Sequence, residues 1–251
     1  MSALAHHMRV MASYHRHATA TLLDGIKLAM PSEFNNLGAL ATNPGFSTTS
    51  VRRVPRVSPY RKDSKLFFRS IHGTLNHLLG AETLWWHRLA GSSEDAADIA
   101  AIYELNRRDL SHAWERRIES RAELFERLLH TTAAWEELVA TGVARDGQLD
   151  EVIHTPSSAY SPAPPSASDI DDAWFMDSVE YTDTDGRPRS VVRAAALTQV
   201  FNHATHHRGQ ITAAFTYWGE DFPSLDMQNM GDHFTQYTAH RPASPEPVEL
   251  A

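Results

Sequence analysis

Asn202-His203-Ala204-Thr205-His206-His207-Arg208-Gly209-Gln210 sets His203 and His207 four residues apart inside a longer apolar segment. That segment runs from about Ser190 to Trp218, with Leu197, Val200, Ala204, Ile211, Phe215 and Trp218 recurring at three- and four-residue steps. The spacing predicts a helix with one buried face. His203 and His207 fall at the edge of that face, one turn apart, with Cβ atoms roughly 6 Å from each other. Two imidazoles so placed bind one metal ion when another helix supplies a third ligand.

Three other segments carry the same period. The first holds Met8, Met11, His15, Ala18, Leu22 and Ile26, and ends near Met30-Pro31-Ser32. The second is expected from about Lys65 to Ala90, with Phe67, Ile71, Leu75, Leu78, Glu82, Trp85 and Leu89 on its stripe, stopped by Gly91-Ser92-Ser93. A third, from about Leu110 to Val139, buries Trp114, Ile118, Phe125, Leu128, Leu129, Trp135 and Leu138, and Thr141-Gly142 closes it. Four amphipathic helices predict an all-α fold, a four-helix bundle over residues 1–230.

The connections are less regular. Residues 35–64 and 154–168 read as long loop insertions, the second rich in Pro, Ser and Ala. Asp185-Gly186, between short extended runs in 178–189, reads as a small β-hairpin just before the last helix. Its Asp-x-Asp-Gly fragment lacks the remaining ligands of a calcium loop, so a turn is the better reading. The tail, 231–251, is expected to be disordered.

Composition narrows the function classes. The chain has 251 residues and a formal net charge of −8, which disfavours binding to a phosphate backbone and predicts no nucleic-acid partner. It has no cysteine, so any thiol chemistry must use a thiol brought by a ligand. Residues 1–10 lack a signal-peptide pattern and no apolar run is long enough for a bilayer, so a cytoplasmic protein without a membrane partner is expected.

With fifteen histidines in the chain, His-x-x-x-His arises readily by chance, and the residues alone leave the third ligand open. His77, mid-helix beside the buried stripe, and His15, on the first helix's stripe, both qualify; either also suits a hydrogen-bonded core histidine. A zincin site is not supported, because the position after His203 is Ala204 rather than the glutamate base of His-Glu-x-x-His. Glu82 is a candidate proton acceptor or partner to a ligand, or else a carboxylate at the core edge paired with Arg88. Arg208 is a candidate for binding a substrate carboxylate or for pairing within the bundle. His206 reads as a partly exposed neighbour.

The segment 73–89, Gly-Thr-Leu-Asn-His-Leu-Leu-Gly-Ala-Glu-Thr-Leu-Trp-Trp-His-Arg-Leu, resembles the second helix of the DinB/YfiT-like superfamily. His203-Ala204-Thr205-His206-His207-Arg208-Gly209-Gln210-Ile211 resembles its last-helix signature, and 181–186 its hairpin. Residues 11–18 are similar to its first helix, with His15 and His17 where Asn and Trp are more usual. The resemblance implies a DinB-type bundle with His77, His203 and His207 as metal ligands. It also implies a divalent cation, zinc or nickel first and iron or manganese as alternatives. The implied activity is a metal-dependent transferase that activates a low-molecular-weight thiol for attack on an electrophile, with a homodimer as the assembly. The alternatives are a metal-dependent hydrolase that activates water, and a metal-stabilised binding or stress-response protein without turnover. The long loops depart from the family's pattern.

Overall fold

The computed structural model describes residues 2–30, 58–90, 101, 104, 113–143, 170 and 172–231. The expected insertion at 154–168, the part of the other up to residue 57, and the tail from 232 lie outside them. Among the described residues the fold is mostly helical, with a two-stranded antiparallel hairpin. The helices are α1 (Ala3–Ala29), α2 (Ile71–Ala90), α3 (Ala113–Arg117), α4 (Arg121–Thr141), α5 (Asp172–Met176) and α6 (Arg193–Trp218); β1 (Ser178–Thr182) and β2 (Pro188–Val192) precede α6. The long helix α1 packs on α4 and α6, and α2 packs on the same two.

Helix ends follow from side chains and backbone alike. Ser2 caps α1 by accepting from Ala5 N at 3.1 Å. At its other end, the Arg121 guanidinium donates to the carbonyls of Ile26 and Met30, satisfying groups that the last turn leaves open. The αL residues Gly142 (φ 73°) and Gly219 (φ 68°) terminate α4 and α6. The hairpin is in register from Ser178↔Val192 to Thr182↔Pro188. Its turn is held by Asp183, which accepts from the backbone N–H groups of Asp185 and Arg187, each at 2.9 Å, and from Arg189 Nε. A carboxylate so engaged is a turn device, as the sequence suggests.

Two expected helix boundaries are wrong. The second helix starts at Ile71, not near Lys65, because Lys65 (φ 60°) and Arg69 (φ 65°) adopt left-handed backbone. A tight loop closes between them, with Ser64 N donating to Arg69 O at 2.7 Å. Phe67, expected on the buried stripe, is therefore 60% exposed, while Phe68 is buried. The expected third helix is split at Ile118-Glu119-Ser120. Asn76 of α2 explains the break: its side-chain amide donates to Ile118 O and accepts from Ile118 N, both at 3.1 Å. Ser120 then caps α4 through Glu123 N. A side chain from another helix thus satisfies the backbone groups that a continuous helix would have paired internally.

The core divides along the helix axes. One apolar cluster includes Leu22, Ile26, Leu75, Leu78, Phe125, Ile211 and Phe215; the other includes Met8, Trp86, Trp135, Leu138, Leu197, Val200 and Phe201. Between their positions on α1, α2 and α4 fall the buried polar residues His15, Thr19, Glu82, Thr131 and Thr132, and Arg208 is buried on α6 one turn beyond Ala204. No described helix is long and apolar enough to cross a membrane.

Candidate metal centre

Helices α2 and α6 bring His77, His203 and His207 together. Nε2 of His203 lies 3.2 Å from Nε2 of His77 and 3.0 Å from Nε2 of His207. One ligating atom from each falls within 4.8 Å of the others. Nitrogens bound tetrahedrally to one zinc ion sit about 3.3 Å apart, from bonds of about 2.05 Å. The spacing therefore fits a single cation with little rearrangement.

Two of the rings are held from behind. Phe68 stacks on His77 at 3.8 Å between centroids with the planes 19° apart, and Trp114 meets the same imidazole edge-on at 5.0 Å. Two glycines make this box. A Cβ on Gly73 would lie 2.3 Å from Phe68 O, and one on Gly80 would lie 2.5 Å from the Trp114 ring. His207 Nδ1 lies 2.8 Å from Gln210 Oε1. That oxygen only accepts, so Nδ1 carries the proton and Nε2 presents its lone pair to the cluster.

Burial keeps these imidazoles neutral. It lowers His77 to about 2, with repulsion from His207 and His203 adding to the effect. His207 falls to about 4 by burial and by His203, against the bond to Gln210. His203 is also lowered, mainly by burial, with Glu82 opposing. Three neutral imidazoles that bring a ring nitrogen to one point could hold a single cation.

The other candidate residues lie beside this group. Glu82 is 1% exposed, so the core-edge reading with Arg88 is replaced by a buried one. Its Oε2 is 3.2 Å from His15 Nε2, and its Oε1 has no hydrogen-bond partner. His15, the alternative third ligand, is instead engaged by Glu82 and by Arg208 Nη1, 3.0 Å from its Nδ1. Arg208 can only donate, so His15 accepts at Nδ1 and turns its Nε2 proton to Glu82. Arg208 also donates to Thr19 and Thr205, at 3.3 and 2.9 Å. His206 is exposed, 3.1 Å from Gln210 Nε2. Sequence reasoning missed Phe68 and Trp114 as walls of the site. Gly73 and Gly80, four residues before and three after His77 on the same helix, were the available signal.

Residues 167–236 match the DinB family model. This stretch carries the hairpin, α6, His203 and His207, and it supports the DinB-like assignment read from the sequence. No curated protein and no solved structure gives a match to the chain.

Proposed function

We propose that the four long helices form a bundle of DinB type around a divalent metal centre, and that the protein is a metal-dependent transferase using a low-molecular-weight thiol. The observation that carries this reading is the convergence of three neutral imidazoles, two of them held by neighbouring side chains, with His203 bordering an open cleft. Three protein ligands leave coordination positions for an exogenous group, as in catalytic rather than closed structural sites. Zinc or nickel suits an all-imidazole set, with iron or manganese next. A cation bound there supplies Lewis acidity that favours the thiolate form of an incoming thiol.

The chain's own residues do the rest. Phe68 and Trp114 exclude water from the His77 side and fix that ligand's ring. In this reading Oε1 of Glu82, which has no hydrogen-bond partner, accepts the proton that a thiol gives up. His15 holds Glu82 through its other oxygen, and Arg208 holds His15 through Nδ1. Arg208 is thus a positioning residue rather than a substrate contact. With no cysteine in the chain, the nucleophile must be the cosubstrate. The proposed partner is a small molecule, with no nucleic acid; a homodimer is the proposed assembly.

The test is electrophile consumption by zinc- or nickel-loaded protein, with and without a panel of small thiols. Turnover that requires both metal and thiol, and is lost in Glu82→Gln with metal content intact, is expected. Turnover without any thiol would replace this reading with hydrolysis by activated water.

A further inference from the structure

Helix α6 borders a second cleft on the side away from the histidine trio. At about 3.6 residues per turn, Thr205, Arg208, Gly209 and Thr212 fall on roughly the opposite face from His203 and His207. These four line a cleft of about 420 Å³, whose facing wall is the segment from Phe222 to Asp226. Two contacts dock that segment on α1. Pro223 fills a notch at Gly25, where a Cβ would lie 2.5 Å from the proline Cδ. Tyr14 donates from its hydroxyl to Leu225 O at 2.8 Å. The cleft is therefore built into the fold, and it has the size of a small-molecule pocket. It is bare at Gly209, where a Cβ would meet no atom within 4 Å.

Arg208 gives this cleft its chemistry. It lines the cleft while only 1% exposed, so it stands at the closed end. Its Nη groups donate to His15, Thr19 and Thr205, none of them an anion, and its Nε has no hydrogen-bond partner. Burial lowers its pKa, opposed by Tyr14 and then by Glu82. A buried guanidinium in this position is best complemented by a carboxylate. The hydroxyls around it spend their protons on the protein: Thr205 donates to Phe201 O, and Thr212 to Gly209 O. The opposite wall is apolar, with Phe222 48% exposed beside Pro223 and Leu225. Asp226, exposed on the rim, disfavours a second negative charge on the ligand.

We infer that this cleft binds a small monocarboxylate with an apolar body, the carboxylate on the Arg208 guanidinium and the body against Phe222, and that the relay to Glu82 senses it. Arg208 holds His15 through Nη1, and His15 holds Glu82. The ligand thus acts on the metal centre's neighbour from the far side of α6. This is an effector site rather than a substrate site, and binding there needs no metal.

The full chain, stripped by chelation so that no metal competes for the acids, is titrated calorimetrically with phenylacetate, 4-phenylbutyrate and hexanoate, and with the matched primary amides. The acids are expected to bind about tenfold or more tightly than the amides, as a charge-assisted bond provides. Gly209→Leu puts a side chain into the open space of the cleft and should abolish acid binding with the circular dichroism spectrum unchanged. Phe222→Ala, at an exposed position, should weaken acid and amide alike. Glu82→Gln removes the anion that offsets Arg208 and should tighten the acids about threefold or more, leaving the amides as they were. Acids that bind no better than amides would overturn the site, as would acid affinity that survives both cleft substitutions unchanged. Equal acid affinities in Glu82→Gln and wild type would overturn the link to the relay.

Discussion

Two buried polar clusters sit side by side in these helices, and they are completed in opposite ways. Glu82, His15 and Arg208 alternate acceptor, relay and donor, so that the carboxylate and guanidinium charges balance through one imidazole. His77, His203 and His207 present three like groups to one point, each driven toward its neutral form by burial. The first cluster pairs a carboxylate with a guanidinium from within the fold, although Glu82 Oε1 and Arg208 Nε have no hydrogen-bond partner. The second consists of like groups alone and could hold a cation, and in that asymmetry lies the case for a metal centre.

The largest effect should come from emptying the second cluster. Wild type purified without a histidine tag should carry about one divalent ion per chain, and His203→Ala none. Saturating zinc at ~1,000 times Kd should stabilise the wild type by about 4 kcal/mol and the variant not at all. Equal thermal shifts in both would break the distinction between the clusters. Next comes the first cluster: Arg208→Met removes one charge and leaves Glu82 buried without it, at a cost of about 3–5 kcal/mol in chemical denaturation. Adding Glu82→Gln should recover part of that loss. A single substitution that costs under about 1 kcal/mol would mean the pair is not coupled through His15.

A smaller, steric effect sharpens the contrast. Gly80→Ala would drive a methyl into Trp114, costing about 1–3 kcal/mol. It should also weaken zinc binding by shifting the wall of His77, while leaving the His15 relay alone; calorimetric titration of the folded variant with zinc decides this. The smallest effect is a pH response of the metal-free protein. Unfolded imidazoles take up protons near pH 6.5, whereas folded His207 resists to about pH 4 and His77 to about 2. The unfolded state therefore binds more protons, and stability falls as pH falls. His72, buried between Tyr60 and Asn76 and lowered to about 4 chiefly by burial, behaves the same way. From pH 6.5 to 5.5 each group should remove about 1 kcal/mol, read by denaturant melts. Replacing His77 and His207 with glutamine should flatten the curve; an unchanged slope would show that the trio is not held neutral.

Much of this was legible in the chain. The buried stripes of α1 and α6, the Gly142 stop and the Asp185-Gly186 turn are local, repeated signals, and each appears where the spacing puts it. His203 and His207 share a helix, so their proximity needs only the helical repeat. The pairing of His77 rather than His15 with them was open from the residues and was favoured by the family resemblance. The start of α2 was misread because nothing in Lys65 or Arg69 announces positive φ; tertiary contacts impose it. The break before α4 was invisible for a related reason, since its backbone is satisfied by Asn76, more than forty residues earlier.

What the sequence determined by itself is therefore the set of long helices, the hairpin and one arm of the site, because these depend on contacts between residues a few positions apart. The tertiary structure alone decided which histidine completes the trio, which closes the Glu82–Arg208 relay, and that Phe68 rather than Phe67 walls the metal centre. Those choices are set by how α1, α2 and α6 pack and by two close approaches that only glycine permits, and neither leaves a periodic trace in the chain.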